Sequence, residues 1–270
     1  MRLTETAFAK INLALHVRAR RDDGYHQLET VFAFVDAGDR LVAHSCEADR
    51  LEVTGEFAGS LTDPFDNIVA RALTALPHGD GLCVSLEKNL PVAAGLGGGS
   101  ADAGAIFRMV KDSHGLPDDW QDRAARLGAD VPACVDSVTC VGRGTGTELE
   151  PIESDLTGCA VLLVNPRIPL STGPVFAAWD GRDLGPLPTG AVSQIAQEGR
   201  NDLQAPAIAL VPLIAAVLDA IAANGAFLSR MSGSGATCFG LFRDDEALAR
   251  AAQAIARDHP GWWQMQGHLR

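Results

Sequence analysis

The sequence has few lysines and a strong excess of acid. Only Lys10, Lys88 and Lys111 are lysines among 22 basic residues, and 34 acidic residues give a formal charge of −12. A chain this acidic lacks the broad basic face with which general nucleic-acid binders neutralise phosphates. The same deficit argues against docking on anionic membranes. We therefore expect small-molecule substrates, no nucleic-acid or membrane partner, and a monomer or a weak homodimer.

Long apolar runs are also missing. No stretch reaches the roughly 18 consecutive apolar residues that a membrane-spanning helix needs. The most apolar segment, 205–218, contains Pro212 and ends before Asp219, which indicates a buried helix. The N-terminal residues carry no apolar core after Arg2, so they do not resemble a secretory signal. These features predict a cytoplasmic protein.

Paired cysteine motifs are absent. The six cysteines show no C-x-x-C spacing. A chain of 270 residues can bury a core large enough to fold without covalent links. We therefore expect reduced cysteines, with neither a disulfide framework nor a zinc site.

What the sequence does contain indicates an α+β fold. Residues 4–18 are rich in branched and aromatic side chains and predict a long first strand. Residues 28–35 and 40–43 predict two further strands, joined by a turn at 36–39. Strands precede helices in each half of the chain, which favours α+β over a regular βαβ series.

Helical spacing and a change of composition suggest the rest of the organisation. Apolar residues recur at helical intervals in the segments 66–76, 100–113 and 208–223. After Pro151 the composition of the sequence changes, which predicts two domains, 1–150 and 151–270.

The strongest motif is rich in glycine. Four glycines fall between positions 95 and 99, after a predicted strand and before a helix predicted to begin at Ser100. Backbone without Cβ atoms can approach an anion closely, and a helix start offers N–H groups and the positive end of its dipole. This predicts a phosphate-binding loop, with a flexible surface turn as the alternative. The loop comprises Pro91, Val92, Ala93, Ala94, Gly95, Leu96, Gly97, Gly98, Gly99, Ser100 and Ala101.

The loop does not follow the common phosphate-binding schemes. A Walker A loop needs Gly-Lys followed by Ser or Thr, and no Gly-Lys dipeptide occurs in the chain. The dinucleotide fingerprint G-x-G-x-x-G is missing as well. The loop must therefore bind phosphate by another scheme.

Two more segments accompany the loop, and together they carry a resemblance. One spans residues 7–28 and includes Lys10 and Asn12; the other, 231–239, is a second Gly-rich stretch. The three segments resemble the GHMP kinase family (galactokinase, homoserine, mevalonate and phosphomevalonate kinases). The similarity runs from about residue 5 to residue 243. The Gly-rich loop indicates only this superfamily, whereas the stretch from Lys10 to His26 resembles its branch that phosphorylates a diphosphocytidyl alcohol for isoprenoid synthesis.

The resemblance implies a fold and an activity. It implies the two-domain α+β GHMP kinase fold, with the active site in the cleft between the domains. ATP and Mg²⁺ are the implied cofactors, and the implied reaction transfers phosphate to the 2-hydroxyl of the diphosphocytidyl alcohol. Another kinase of the family, acting on mevalonate or homoserine, and a non-catalytic sensor that kept the nucleotide site are the alternatives.

Two residues are implied to be catalytic. Lys10 lies in an apolar strand, where a lysine is either a snorkelling edge residue or a functional cation; the resemblance implies that it contacts the substrate hydroxyl and the transferred phosphoryl group. Asp130 is implied to be the general base. Its alternative role is to cap the turn at Val131 and Pro132.

Other residues are implied to bind substrate or nucleotide. Tyr25 would stack on the cytosine ring with Phe176 on its other face, and His26 would bond its edge, although Tyr25 and His26 could simply pack at a strand start. Asn67 would contact adenine or cap a helix, and Ser100 is a candidate Mg²⁺ ligand. The Arg20–Arg21 pair is expected to be solvated, with a diphosphate contact as the alternative. The implied substrate-binding residues are Asn12, Tyr25, His26, Thr172 and Phe176.

Overall fold

A computed structural model of the chain describes residues 2–61 and 67–270. The chain forms two compact units. The first consists of Met1–Lys10, Ala37–Val92 and Gly97–Ser137, and the second of Ile11–Asp36, Ala93–Leu96 and Val138–Arg270. Each unit is therefore assembled from distant parts of the sequence. The domain boundary predicted near residue 150 falls within the second unit and stays a prediction.

Two long strands begin the chain and contribute residues to both units. Strand β1 spans Arg2–Arg20, and β2, which pairs with it, spans His26–Cys46. The predicted first strand is confirmed, whereas the predicted turn at 36–39 is wrong because β2 continues through it. At Gly38 a Cβ atom would overlap the carbonyl oxygen of Ala7, so this glycine permits close backbone approach rather than a turn.

The first unit contains the C-terminal part of β2, two further strands that pair beside it, and a group of helices. The segment 40–46 of β2 pairs antiparallel with β4, which pairs parallel with β3. Helix α2 packs against α1 and α4, and the contact with α4 needs glycine at position 104, where a Cβ would overlap the carbonyl of Cys134. The elements are β3 (Arg50–Thr54), a 3-10 turn (Ala58–Ser60), α1 (Ile68–Ala75), β4 (Gly81–Glu87), α2 (Gly98–His114), α3 (Trp120–Leu127) and α4 (Val131–Asp136).

The helix predicted over 66–76 is thus present as α1. Its predicted first residue, Asp66, lies outside the described residues. Asn67 is the N-cap, since its side chain accepts a hydrogen bond of 2.9 Å from the amide of Val69.

The second unit contains a four-stranded antiparallel sheet of order β10-β7-β9-β8. Helices α8 and α9 cover it, and every residue of its strand β7 is buried. The segment 28–32 of β2 pairs with β5, which pairs with β6. The elements are β5 (Cys140–Gly144), β6 (Glu148–Pro151), β7 (Ala160–Asn165), α5 (Thr172–Ala177), α6 (Val192–Glu198), α7 (Gln204–Leu210), α8 (Leu213–Ala223), β8 (Leu228–Met231), β9 (Cys238–Phe242), α9 (Asp245–Asp258) and β10 (Trp263–His268).

The prediction of one continuous helix over 208–223 is wrong, and so is the prediction of a buried helix over 205–218. Two helices, α7 and α8, are separated at Val211 and Pro212. Proline lacks the N–H that an uninterrupted helix would use at that position, and its ring clashes with the preceding turn.

The expectation that all cysteines are reduced is wrong for one pair. Cys46 at the end of β2 and Cys83 in the adjacent strand β4 form a disulfide, with their Cα atoms 5.8 Å apart. This separation lies in the range that disulfide geometry allows. Spacing along the sequence did not indicate the pair because 37 residues separate the two cysteines.

None of the helices described over residues 2–61 and 67–270 combines the length and apolar character needed to cross a membrane.

An exposed histidine couples the stability of the second unit to pH. His268 bonds Asp245 at 2.8 Å and lies 3.4 Å from Asp36; these carboxylates, Asp245 first, raise the pKa of His268 above its ordinary value. A raised pKa means that the stabilisation is complete below about pH 6.5 and is lost as pH rises through the higher folded-state value. Because the pair is exposed, we expect only about 0.5 kcal/mol.

The prediction is checked by chemical denaturation of the native protein and His268→Gln at pH 5.5 and pH 9. The free energy of unfolding of the native protein should fall by about 0.5 kcal/mol more than that of the variant. Identical falls in the two proteins would contradict it.

Candidate active site

A buried lysine and a carboxylate meet in the first unit. The ammonium of Lys10, on β1, lies 3.0 Å from Oδ2 of Asp130, and the two side chains are 5% and 32% exposed. Lys10 is too buried for a snorkelling edge residue. Asp130 precedes α4, but its side chain makes no capping hydrogen bond, so the alternative of a cap is excluded. The two residues predicted to be catalytic are in contact.

A glycine of the Gly-rich loop lies against this pair. Gly97 has φ +62 and is the N-cap residue of α2. A Cβ built there would lie 3.0 Å from Cε of Lys10 and 3.8 Å from Oδ2 of Asp130. The absence of a side chain at Gly97 therefore leaves room for the side chains of Lys10 and Asp130.

Substitution of Gly97 by alanine should lower activity. The new methyl would press on Lys10, and the positive φ adds strain of about 1 kcal/mol. We expect kcat to fall about tenfold or more, measured as ADP release. Gly115→Ala is the matched control, because Gly115 ends the same helix with φ +80 and open space around it. Equal losses in both variants would contradict a role for the Lys10 contact.

The helix that follows the loop presents free backbone donors by its geometry. Helix α2 begins at Gly98, two residues before the predicted start. The first i to i−4 backbone hydrogen bond of the helix runs from the amide of Ala101 to the carbonyl of Gly97. The amides of residues 98–100 therefore have no partner within the helix. Ser100 is the third helical residue, so the prediction that it stands at the helix start is wrong; its hydroxyl remains in the first turn.

A buried ionic cluster lies beneath the start of α2, and sequence reasoning missed it. The ammonium of Lys88 is bonded to Asp39 and, at 2.7 Å, to Asp102 of α2. Asp39 also accepts a bond of 2.7 Å from the amide of Leu90, and all three side chains are at most 2% exposed. A Cβ at Gly98 would lie 3.2 Å from the Lys88 ammonium. The only signal in the sequence was the rarity of lysine.

Two Gly-rich segments interlock in the second unit. The hydroxyl of Ser232 donates to the carbonyl of Gly95 at 2.7 Å, and the amide of Thr237 donates to the carbonyl of Ala94 at 3.1 Å. Gly95 has φ +78, and a Cβ there would overlap the carbonyl of Ser232. The segment 232–237 thus connects β8 to β9 tightly and also supports residues 93–96.

Asn12 is buried in the second unit. Its amide nitrogen donates to the hydroxyl of Thr30 at 2.8 Å, and its backbone amide donates to the hydroxyl of Ser232 at 3.3 Å. A Cβ at Gly233 would lie 3.4 Å from its Oδ1. The residue predicted to bind substrate therefore contacts the second Gly-rich segment.

An aromatic cluster joins two of the predicted base-binding residues. The rings of His26 and Phe176 are 4.8 Å apart, tilted by 40°, and Trp179 meets His26 edge-on at 5.8 Å. The Nε2 atom of His26 is buried and has no hydrogen-bond partner. Burial lowers the pKa of His26, and the charge of Arg20 lowers it further. A neutral imidazole with an unsatisfied nitrogen is suited to a polar ligand.

The remaining predicted substrate residues lie near this cluster in the chain. The ring of Tyr25 is 66% exposed, and its amide is held by Asp23 at 3.0 Å. The hydroxyls of Thr172 and Ser234 are 3.0 Å apart. Sequence reasoning missed Ser234 and Trp179; the position of Trp179 three residues after Phe176 was the available signal.

Arg20 is exposed, as expected, but it also makes contacts that the sequence did not indicate. Its guanidinium donates to the carbonyls of Ala177 and Trp179 and lies over the Trp179 ring at 5.8 Å. Arg21 is exposed and pairs with Asp23 at 2.9 Å.

No all-protein metal centre accompanies these residues. Within 2–61 and 67–270, no group of three or more His, Cys, Asp or Glu side chains is arranged to hold a metal ion. Mg²⁺ in phosphoryl-transfer sites is commonly held by one or two protein ligands together with phosphates and water. The donor set is compatible with that mode of binding.

Two family models match the chain. The GHMP kinases N-terminal domain matches residues 67–140, and the GHMP kinases C-terminal model matches residues 190–261. The first range includes the Gly-rich loop and Asp130, and the second includes the segment 232–237.

Similar curated proteins share one name. A 4-diphosphocytidyl-2-C-methyl-D-erythritol kinase of Erythrobacter litoralis is 65% identical over 99% of both chains. A protein of the same name from Brucella melitensis is 42% identical, over 98% of this chain and 95% of the relative.

Solved structures show the same fold. A crystal structure of 4-(cytidine 5'-diphospho)-2C-methyl-D-erythritol kinase superposes with a TM-score of 0.85 at 32% identity, covering 99% of both chains. A homoserine kinase from Cytophaga hutchinsonii superposes with a TM-score of 0.67 at 16% identity, over 99% of this chain and 95% of the other; this second match shows the fold alone.

Proposed function

The chain belongs to the GHMP kinase family, and from that premise we infer that it transfers the γ-phosphoryl group of ATP to the 2-hydroxyl of 4-diphosphocytidyl-2-C-methyl-D-erythritol, giving the 2-phosphate and ADP. It is an ATP-dependent kinase of a small-molecule alcohol in the non-mevalonate isoprenoid pathway. The geometric observation that carries the proposal is the contact between Lys10 and Asp130 beside Gly97.

The Gly-rich loop and the start of α2 are proposed to hold the phosphates of ATP. The amides of residues 98–100 face no helical partner, and the helix dipole favours negative charge at this end. ATP supplies the phosphoryl group when bound. Mg²⁺ would be held by phosphate oxygens and the hydroxyl of Ser100, since the described residues offer no cluster of carboxylates for it.

Lys10 and Asp130 are proposed to act on the attacking hydroxyl. Asp130 accepts its proton, and the Lys10 ammonium offsets the negative charge that develops on the oxygens. Phosphoryl transfer passes through a loose transition state, so positioning and charge stabilisation are the main demands on the protein. A base and a cation 3.0 Å apart satisfy both demands.

The aromatic cluster is proposed to bind the cytosine ring. Tyr25 supplies an exposed ring face, and Phe176 and His26 form a second aromatic surface. Stacking on an aromatic side chain is worth about 1–3 kcal/mol per base in nucleic-acid complexes. The unsatisfied Nε2 of His26 matches the polar edge of the base, Thr172 and Asn12 bind the remainder of the substrate, and Asn67 contacts the adenine of ATP.

A coupled ADP-release assay tests the function. The purified chain is given ATP and, in separate reactions, the diphosphocytidyl alcohol, mevalonate or homoserine. We expect turnover of the first alone. Turnover of only mevalonate or homoserine would overturn the substrate assignment and leave the family standing, and ATP binding without turnover of any acceptor would favour a non-catalytic sensor.

A further inference from the structure

Arg20 makes a set of contacts that the proposed reaction does not use. It is the last residue of β1, and its guanidinium reaches the end of α5, where it donates to the carbonyls of Ala177 at 3.2 Å and Trp179 at 2.5 Å. Carbonyls at a helix C-terminus lack helical partners and carry the negative end of the dipole. A cation in this place therefore anchors the segment that follows Phe176.

Trp179 transmits this anchoring to His26. The Trp179 side chain is 4% exposed, so its position is fixed by packing. One side of its ring faces the Arg20 guanidinium at 5.8 Å, and its edge meets the His26 ring at 5.8 Å. His26 in turn lies 4.8 Å from Phe176. We call the Arg20 and Trp179 side chains with these contacts the Arg20–Trp179 brace.

Arg20 is also the charged group that acts on His26. Burial is the larger cause of the lowered pKa of His26, and the positive charge of Arg20 is the other. The side chains that face the imidazole from α5 and its end, Phe176 and Trp179, carry no charge. In the turn before His26, Asp23 is engaged by Arg21 and by the amide of Tyr25. Burial and the charge of Arg20 therefore both disfavour the protonated form of the imidazole.

We infer that the Arg20–Trp179 brace is a positioning device for base recognition: it fixes the His26 ring against Phe176, so that Nε2 meets the edge of a neutral pyrimidine. The inference rests on the proposed function, which supplies the cytosine ring. A neutral imidazole offers one donor and one acceptor, whereas the protonated ring offers only donors. Protonation would therefore remove an acceptor and put an unneutralised charge beside an uncharged base.

Two substitutions of Arg20 separate its charge from its geometry. Lysine keeps the charge but loses the planar fork and the stacking, whereas methionine loses both. Arg182→Met is the matched control, because Arg182 is an exposed arginine three residues beyond Trp179. The KM for each substrate, kcat, and the pH profile of kcat/KM are measured for the full chain and the variants at a temperature at which cooperative melting curves show that all are folded.

Arg20→Met should raise the KM for the diphosphocytidyl alcohol about tenfold, the size expected for lost charged hydrogen bonds, with kcat and the KM for ATP within about twofold of the native values. It should also move the acid limb of kcat/KM to higher pH, because His26 then protonates more readily. Arg20→Lys should raise the same KM but leave the acid limb unmoved. Any titration of the substrate affects the pH profiles of all variants equally, so it does not contribute to the difference between them.

An Arg20→Met variant with the KM values of Arg182→Met, or with an unmoved acid limb, would overturn the inference. If the native chain does not turn over the diphosphocytidyl alcohol, the proposed function fails instead. The two failures are therefore distinguishable in one series of assays.

Discussion

Asp130→Asn should lower kcat by about 10²–10⁴-fold and leave the KM for ATP within about twofold. The amide keeps the shape of the carboxylate but cannot take the hydroxyl proton, and it removes the negative charge that lies 3.0 Å from the Lys10 ammonium. The transferred group would then meet a correctly placed cation but no base. Turnover and nucleotide affinity are measured separately, by ADP release and by binding of a nonreactive ATP analogue.

The control for this experiment lies at the other end of the same short helix. Asp136 is the last residue of α4 and is exposed, so Asp136→Asn removes one carboxylate from α4 without touching Lys10. Its kcat should equal that of the native chain. A near-native kcat in Asp130→Asn would remove Asp130 from the chemistry and leave it a structural partner of Lys10.

Lys88→Met should cause the largest loss of stability. The substitution leaves the Asp39 and Asp102 side chains, both at most 2% exposed, without their shared cation. Breaking a buried ionic contact on one side costs about 3–5 kcal/mol, a large part of the 5–15 kcal/mol that stabilises a typical domain. Urea denaturation should therefore show a much lower midpoint. Lys111→Met, an exposed change on α2, should cost less than about 1 kcal/mol.

Within the same cluster, we expect substitution of Asp102 to destabilise the protein less than substitution of Lys88. Burial raises the pKa of Asp102 well above its ordinary value; Lys88 opposes that effect and Asp39 adds to it. Asp102 therefore takes up a proton more readily than an ordinary aspartate does, and its Oδ1 has no partner in the structure. Asp102→Asn should cost much less free energy of unfolding than Lys88→Met. Equal costs would contradict a raised pKa for Asp102.

The acidity of the chain and its anionic substrates are compatible. A formal charge of −12 excludes a broad basic surface, but the proposed phosphate site does not need one. Backbone amides at the start of α2, the helix dipole and the buried cation Lys10 supply the positive potential locally. Two of the three lysines are buried in ionic contacts close to the loop: Lys10 lies beside Gly97, and Lys88 lies beneath the start of α2.

Much of the candidate site could be predicted from the sequence. Residue types and spacing indicate the Gly-rich loop and the helix after it. Anion binding by consecutive amides depends on a contiguous stretch of chain, so its signature is visible in one segment. The roles of Lys10 and Asp130 are implied only by the resemblance to a family, because residue types alone leave a snorkelling lysine and a helix cap as alternatives. Their contact is visible only in the structure.

Other features of the site could not be predicted because their partners are far apart in the chain. Lys88 and Asp39 are separated by 49 residues, and Arg20 and Trp179 by 159. Local patterns carry no information about such pairs, and lysine, aspartate and arginine are ordinarily found at the surface. The continuous strand β2 escaped prediction for the same reason. Its Asp-Ala-Gly-Asp stretch has the composition of a turn, but Gly38 lies against Ala7 and Asp39 is bonded to Leu90.

The sequence by itself determined the family and indicated the Gly-rich loop proposed to bind phosphate. Both depend on residue identity and on short spacing, and the resemblance to the family in turn implies the two groups proposed for catalysis. Tertiary structure alone decided which charges are buried, that Cys46 meets Cys83, and that Arg20 and Trp179 hold His26. Burial and contact are set by packing between distant segments. Packing gives an ordinary arginine a fixed position, and it gives an ordinary lysine or histidine a shifted pKa as well.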